Sequence, residues 1–300
     1  MRVLITGGLG FIGAWTARVL LAGGHDVRIF DLHCKRGLFD AIAGPQAAGR
    51  VKLRQGDIAD PAAVNAAAEG CQAIVHLAAV LIPTARQDPL LGARVNVLGT
   101  LNVFEAAKRA GVRGIAYASS AAVFGPEDGL HPEPRTHYGA YKLCNEGTAR
   151  AYWHDAGVRS VGLRPSTAYG PGREIGVTAD PTLAMRAAAE GRPYTIRFTG
   201  QTGMDYAADV AAIFARAATE APDGAHAFSL QGQLADMEEV VAAIRAAVPD
   251  ADVRAEGPAL MFAARVDEAP LHALFSGVRR TPLAEGASAT IAFYRGAAAR

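Results

Sequence analysis

The sequence predicts an α/β fold, a doubly wound parallel sheet with helices on both faces, followed by a smaller mixed C-terminal lobe. Three observations predict it. Strand-like and helix-like segments alternate through the first half of the chain, the sign of βαβ units. A glycine-rich turn joins the first strand to the first helix. Beyond "SVGLRP" the alternation gives way to a Pro/Gly-rich loop and separate helices. These place one domain at 1–170 and a smaller substrate-binding lobe at 171–300, with some later segments returning to the sheet.

In order, "RVLITG" is a short β-rich run, and "FIGAWTARVLLAGG" carries apolar residues at helical spacing and stops on Gly23-Gly24. "DVRIFD" and "VKLRQGD" read as strands. "PAAVNAAAEG" opens with a proline suited to a first helical turn and closes on Gly70. "AIVHLAA" is a buried strand. "RVNVLGTLNVFEAAKRAG" is a long amphipathic helix capped by Gly111, "GIAYASS" a strand, "GAYKLCNEGTARAYWHDAG" a helix, and "SVGLRP" a strand ended by Pro165. Further on, "PTLAMRAAAEG", "DYAADVAAIFARAATEA" and "DMEEVVAAIRAAV" read as helices, and "YTIRF" and "HAFSL" as short strands.

Composition narrows the partners. The chain has 300 residues, half of them hydrophobic, enough for a sizeable core. Its net charge is +1, which gives no bulk attraction for nucleic acid or an anionic membrane. No apolar run is long enough to span a bilayer, and with "RVLITG" reading as a strand from the start, no signal peptide is expected. Cys34, Cys71 and Cys144 are scattered without a CxxC or metal-like spacing, so reduced thiols, a cytoplasmic setting and no metal are expected.

Ligands of such sheets sit at the carboxyl ends of the strands. After the first strand, "ITGGLGFIG" places Gly7, Gly10 and Gly13 between strand and helix. One glycine allows a sharp turn, one a close backbone approach to a pyrophosphate, and one close packing of helix on sheet. The helix start at Phe11, Ile12 and Gly13 then offers N–H groups to phosphates. Asp31 ends the second strand roughly twenty residues on. A carboxylate there accepts hydrogen bonds from both ribose hydroxyls and repels a 2′-phosphate, favouring NAD over NADP. Lys35 and Arg36 lie close in sequence as a possible counterweight. The pattern is that of a Rossmann-type dinucleotide site.

Tyr138 and Lys142, in "HYGAYKL", are four apart and share a helix face. With them, the residues resemble the extended short-chain dehydrogenase/reductase family, the NAD-dependent epimerases/dehydratases, over essentially the whole chain. The GxxGxxG form is that family's. Asp57 and Ile58 of "GDI" resemble its adenine-binding step; Leu77, Ala78 and Ala79 of "HLAA" resemble the segment lining the cofactor; Asn96 resembles the asparagine of the next helix. "SSAAVFG" matches the serine strand end, Tyr138 and Lys142 match YxxxK, and "LRPSTAYGPG", with Pro165, matches the segment closing over the nicotinamide.

The resemblance implies a chemistry. Free tyrosine has a pKa of about 10, too high for a base at neutral pH, and a nearby ammonium and an oxidised nicotinamide favour phenolate. Tyr138 would be the acid/base, Lys142 would tune it and hold the nicotinamide ribose, and Ser120 would hydrogen-bond the substrate oxygen, with Ser119 beside it. Relatives that eliminate water carry an acid after the serine; here Ala121 and Ala122 stand there. Nucleotide-sugar epimerases carry an arginine at the position of Thr202, and "RYFN" where this chain has "RPSTAYG". Arg265 is a candidate second phosphate-binding arginine. This thinning of cationic donors favours a small polyhydroxylated or sugar-like alcohol as substrate.

The leading expectation is therefore hydride transfer between NAD and a secondary alcohol or ketone. The alternatives are a nucleotide-sugar epimerase with tightly bound NAD and a non-catalytic NAD-binding sensor or scaffold. Candidate substrate contacts are Leu81, Thr84, Ser119, Thr167, Arg173 and Thr178, in a crevice between sheet and lobe. A homodimer is expected through the helices near 94–110 and 138–156, with Ala140, Cys144, Ala149 and Trp153 as an apolar outer stripe.

Overall fold

The computed structural model describes residues 1–298. The chain divides into two compact units. The first comprises Met1–Val123, Pro134–Arg164 and Ala211–Phe228. Its elements run β1 (Arg2–Thr6), α1 (Phe11–Ala22), β2 (Asp26–Asp31), α2 (Gly37–Ala43), α3 (Pro45–Ala48), β3 (Val51–Gln55), α4 (Pro61–Ala68), β4 (Ala73–His76), α5 (Ile82–Gln87), α6 (Pro89–Ala93), α7 (Gly99–Ala110), β5 (Gly114–Ala118), α8 (His137–Ala156) and β6 (Ser160–Arg164). The seven-stranded sheet has the order β10-β6-β5-β4-β1-β2-β3, where β10 is Ala225–Ser229. The β1–β2, β2–β3, β1–β4, β4–β5 and β5–β6 pairs are parallel.

Parallel strands covered on both faces read as continuous apolar runs. Val3, Leu4, Ile5, Ile74, Val75, Ile115 and Ala116 have no exposed surface. Leu4, Phe30, Val64, Ile74, Val103, Phe104, Ile115 and Tyr117 share one core cluster in this unit. Strand order reverses where β1 lies between β2 and β4, the switch point at which such sheets bind ligands.

The expected helix over 94–111 is not uniform. Arg94–Leu98 form a π-helical turn, and α7 begins only at Gly99. The wide turn is closed by Gly99 N–H donating to Arg94 O. α7 ends on Gly111 in the left-handed region, as its place after the periodic residues predicts. α5 and α6 were not expected. Both are short and each has a proline in its first turn, so no apolar period develops.

The second unit comprises Phe124–Glu133, Pro165–Val210 and Ser229–Arg300. It holds β7 (Thr167–Tyr169), α9 (Asp180–Ala189), β8 (Tyr194–Ile196), β9 (Gln201–Tyr206), β11 (Gln233–Asp236), α11 (Met237–Ala247), β12 (Val253–Ala255), α12 (Ala269–Leu274) and α13 (Leu283–Ala298); α10 (Ala207–Glu220) follows β9. β11, β9 and β7 form a three-stranded sheet, and β12 pairs with β8. Asp236 and Glu239 make a full capping box at the start of α11, which marks "DMEEVV" as a helix start. The sequence did not disclose β7, β9, β11 or β12. They are three to six residues long, and β9 carries a glycine and a buried aspartate that mask its alternation. Among the described residues, no helix is long and apolar enough to cross a membrane.

Candidate active site

The glycine turn after β1 assigns each glycine a task. Gly7 has φ +68° and donates to Phe30 O at 2.8 Å. A Cβ on Gly7 would lie 2.7 Å from Ala78 N, and one on Gly13 would lie 2.4 Å from Gly7 O. Gly7 thus turns the chain against the end of β4, and Gly13 seats α1 on the turn. Gly10 is the extended N-cap of α1, and a Cβ there would meet nothing closer than Gly7 O at 3.3 Å. Phe11, Ile12 and Gly13 form the first turn of α1, whose N–H groups point out of the helix start.

A cavity of about 390 Å³ opens in front of this turn. It is lined by Gly7, Gly10, Asp31, Asp57, Ile58, Leu77, Ala78 and Ala79 among the expected residues. Asp31 accepts from Leu9 N–H at 3.0 Å, so its carboxylate also ties the glycine turn to β2. Asp57 accepts from Ala59 N–H at 2.8 Å and pairs with Arg94 at 3.3 Å. The lining also includes Lys35, named in the sequence as a cation near Asp31, and residues the sequence reading passed over, among them Phe30, Leu32, His33, Val80 and Val95. Leu32, His33 and Lys35 follow directly on Asp31, and the strand-end rule that singled out Asp31 reaches them too.

Asn96 is buried and does not line the cavity; it clamps a segment that does. Its amide donates to Val80 O at 3.0 Å and accepts from Val80 N–H at 2.9 Å. Below it, Thr100 Oγ1 donates to Asn96 O at 2.7 Å, so His76 Nε2, 3.0 Å away, must donate to Thr100. His76 Nδ1 then accepts from Thr6 Oγ1 at 2.7 Å. Burial, and secondarily the Lys142 charge, brings the His76 pKa down to about 3.

The reactive side chains gather at the end of β5. Thr136 caps α8 by accepting from Gly139 N–H at 3.0 Å. A Cβ on Gly139 would lie 2.0 Å from Ala122 O, so only glycine lets the first turn of α8 settle onto the turn Ala121–Val123 that follows Ser120. Lys142 is buried and donates to Ala118 O at 2.6 Å. Its Nζ lies 5.4 Å from the centre of the Tyr138 ring. Burial without a paired carboxylate lowers its pKa to about 8. Ser120 Oγ accepts from Ala122 N–H at 3.1 Å, which leaves its own proton to donate. Ser119 is turned inward, 2% exposed, and donates to Glu146 at 2.5 Å; it serves the strand end, and the expectation of a substrate contact is withdrawn.

Leu81 and Thr84 lie at the start of α5. Pro165, Thr167, Arg173 and Thr178 belong to the second unit. Thr167 is 1% exposed and shares a 2.9 Å hydrogen bond with Thr202. It is part of that unit's interior, which corrects its expected role as a substrate contact. Arg173 donates to Thr178 Oγ1 at 3.4 Å. Arg265 is exposed.

Residues 3–230 match the model of the NAD dependent epimerase/dehydratase family. The chain belongs to that family. A UDP-glucose 4-epimerase of Mycolicibacterium smegmatis (strain ATCC 700084 / mc(2)155) is 30% identical over 314 residues, covering 98% of this chain and 99% of that one. The mouse (Mus musculus) 3 beta-hydroxysteroid dehydrogenase type 7 is 32% identical over 192 residues, which cover 57% of this chain and 51% of that relative; the match thus spans about half the relative's length. Among solved structures, a UDP-glucose 4-epimerase of Thermus thermophilus in complex with NAD has a TM-score of 0.83 at 27% identity, covering 99% of this chain and 100% of that one. The Rossmann-type architecture and the extended short-chain dehydrogenase/reductase resemblance read from the sequence both hold for this family member.

Proposed function

We propose that the chain is an NAD-dependent dehydrogenase/reductase acting on a secondary alcohol or ketone of a small polyhydroxylated or sugar-like molecule. The observation that carries this reading is the buried Lys142 ammonium beside the Tyr138 ring at the end of β5. The glycine turn, the open face at Gly10, the helix start and the Asp31 carboxylate fit a dinucleotide with unphosphorylated ribose. When bound, NAD supplies the hydride acceptor.

The residues of this chain manage the proton. Ser120 donates a hydrogen bond to the substrate oxygen and holds it. Tyr138 Oη takes the hydroxyl proton during oxidation and returns it during reduction. Lys142 favours the phenolate by its charge. Ala121 and Ala122, both buried, provide no second base after Ser120, which argues against elimination of water. Thr202, buried and bonded to Thr167, leaves no cation at the place where nucleotide-sugar epimerases carry an arginine. That supports a substrate without a nucleotide.

The full-length similarity to UDP-glucose 4-epimerases favours a second reading, epimerisation of a nucleotide sugar with the hydride returned to the opposite face. A panel of sugars, aldonic acids and nucleotide sugars separates the two. Accumulating reduced nicotinamide supports the dehydrogenase, and NAD that copurifies without net reduction supports the epimerase. Tyr138→Phe is expected to abolish turnover while sparing NAD binding. Undiminished turnover in that variant would end the assignment.

A homodimer formed through α7 and α8 accompanies this reading. Leu98 is 54% exposed, and Ala140 and Cys144 are exposed on α8. Ala149 is not part of that stripe; it is 1% exposed within the core cluster. The free cysteines Cys34, Cys71 and Cys144 suit a reducing, cytoplasmic setting.

A further inference from the structure

A buried ionic cluster on α8 has no task in the family's chemistry. Glu146 lies on α8, one turn beyond Lys142 and two beyond Tyr138, and is 1% exposed. Its carboxylate accepts two hydrogen bonds from Arg164 at the end of β6, Nε at 2.7 Å and Nη2 at 2.6 Å. It also accepts from Ser119 Oγ at 2.5 Å. Ser119 N–H in turn donates to Leu163 O at 2.8 Å. A buried pair of this kind seldom adds net stability over an apolar pair of the same shape, so stability alone does not explain it.

Its place does. Positions 138, 142 and 146 form one line on α8. From that line Lys142 holds Ala118 O and Glu146 holds Ser119 Oγ, the two residues before Ser120. We propose that Glu146, clamped by Arg164 and Ser119, is a positioning residue that sets the register of Tyr138 and Lys142 against Ser120. Held as a neutral pair with Arg164, it also leaves the charge of Lys142 to act on Tyr138. This rests on the reading of Tyr138 as the acid/base.

Tyr117 faces the clamp from β5 and Arg164 from β6, with Arg150 one turn further along α8; His76 faces Lys142 from β4. Removing one partner of the pair therefore exposes Tyr138 to an uncancelled charge. Glu146 is eight residues from Tyr138, about 12 Å along the helix axis. At an effective dielectric constant of about 20, a unit charge at that distance moves a titration midpoint by about one pH unit.

The test is an ultraviolet titration of phenolate formation with NAD present and absent. The chain has 8 tyrosines, so each protein is compared with its own Tyr138→Phe counterpart to isolate Tyr138. Glu146→Gln removes the carboxylate charge that offsets the Arg164 cation and is expected to lower the Tyr138 midpoint by about one unit. Arg164→Gln leaves the carboxylate and is expected to raise it by a similar amount. The double variant Glu146→Gln/Arg164→Gln is neutral again and is expected to return the midpoint to its original value. Opposite shifts that cancel support the clamp, and either single variant carries the sign should the other not fold. A merely structural pair would shift the midpoint by its charge alone, so the register is read from the neutral double variant, whose turnover should fall although its midpoint is restored; folded variants with one common midpoint, or a double variant with undiminished turnover, overturn the proposal. Calorimetry showing no NAD uptake by the unaltered chain would count against the functional reading and leave the titration result standing.

Discussion

Gly10 and Gly13 stand three residues apart, and the structure gives them separable roles. In Gly13→Ala the new methyl meets Gly7 O at 2.4 Å and Gly8 Cα at 2.6 Å. Both obstacles are backbone, so no side chain can swing away. Overpacking of this kind costs about 1–3 kcal/mol or more. Alanine in a helix returns about 1 kcal/mol over glycine. With contacts this short the clash wins, and a net loss near 2 kcal/mol is expected. At about 2–4 °C per kcal/mol, the melting temperature falls by roughly 4–8 °C.

In Gly10→Ala the nearest atom is Gly7 O at 3.3 Å, and an alanine N-cap costs up to about 1 kcal/mol relative to glycine. Stability should fall by less than in Gly13→Ala. The methyl, however, stands where a pyrophosphate must approach the helix start, and NAD affinity should fall by about tenfold or more, about 1.4 kcal/mol. Calorimetric melting and NAD titration on both variants check this. A Gly10→Ala protein that binds NAD as tightly as the parent would refute the placement of the pyrophosphate at Gly10.

Two further outcomes concern buried bases. The folded chain releases the Lys142 proton near pH 8 while the unfolded chain holds it to about 10.5, so this residue's penalty is full below pH 8 and relieved between those values. Lys142→Met removes roughly 3 kcal/mol of penalty and orphans Ala118 O at about 1–2 kcal/mol. It should melt higher at pH 7 while losing turnover, and a lower melting temperature contradicts the account. His76 takes up its proton near 3 in the fold against 6.5 unfolded, so stability present above pH 6.5 is lost as pH falls toward 3, by at most about 1.4 kcal/mol per pH unit. The acid limb of urea midpoints should flatten in His76→Asn, and an unchanged slope speaks against this assignment.

Much of the first unit was legible because its rules are local. Buried parallel strands are continuous apolar runs, and Gly7, Gly10 and Gly13 needed only sequence neighbours to be placed. Tyr138 and Lys142 were legible from a four-residue spacing. What stayed hidden depends on partners distant in sequence. Ser119 and Ser120 are adjacent serines, and only Glu146 and Arg164 decide which of them faces inward. Ala149 looked like an outer-stripe residue because helical spacing gives a face without saying what covers it. Thr167 looked available because its partner Thr202 lies 35 residues away. The short strands of the second unit were hidden because three or four residues cannot display a period, and the six-residue β9 because Gly203 and the buried Asp205 break its alternation.

The wide turn at Arg94–Leu98 carries a consequence for how this protein can change in length. A π turn holds one residue more than the α-helix around it would need. Losing one of those five residues would let the helix close regularly with α7 still in place, whereas the same loss within α7 would swing everything beyond it by about 100°. A single-residue deletion should therefore be found in relatives within this stretch and not within α7, a pattern that aligned family members can reveal without a single assay.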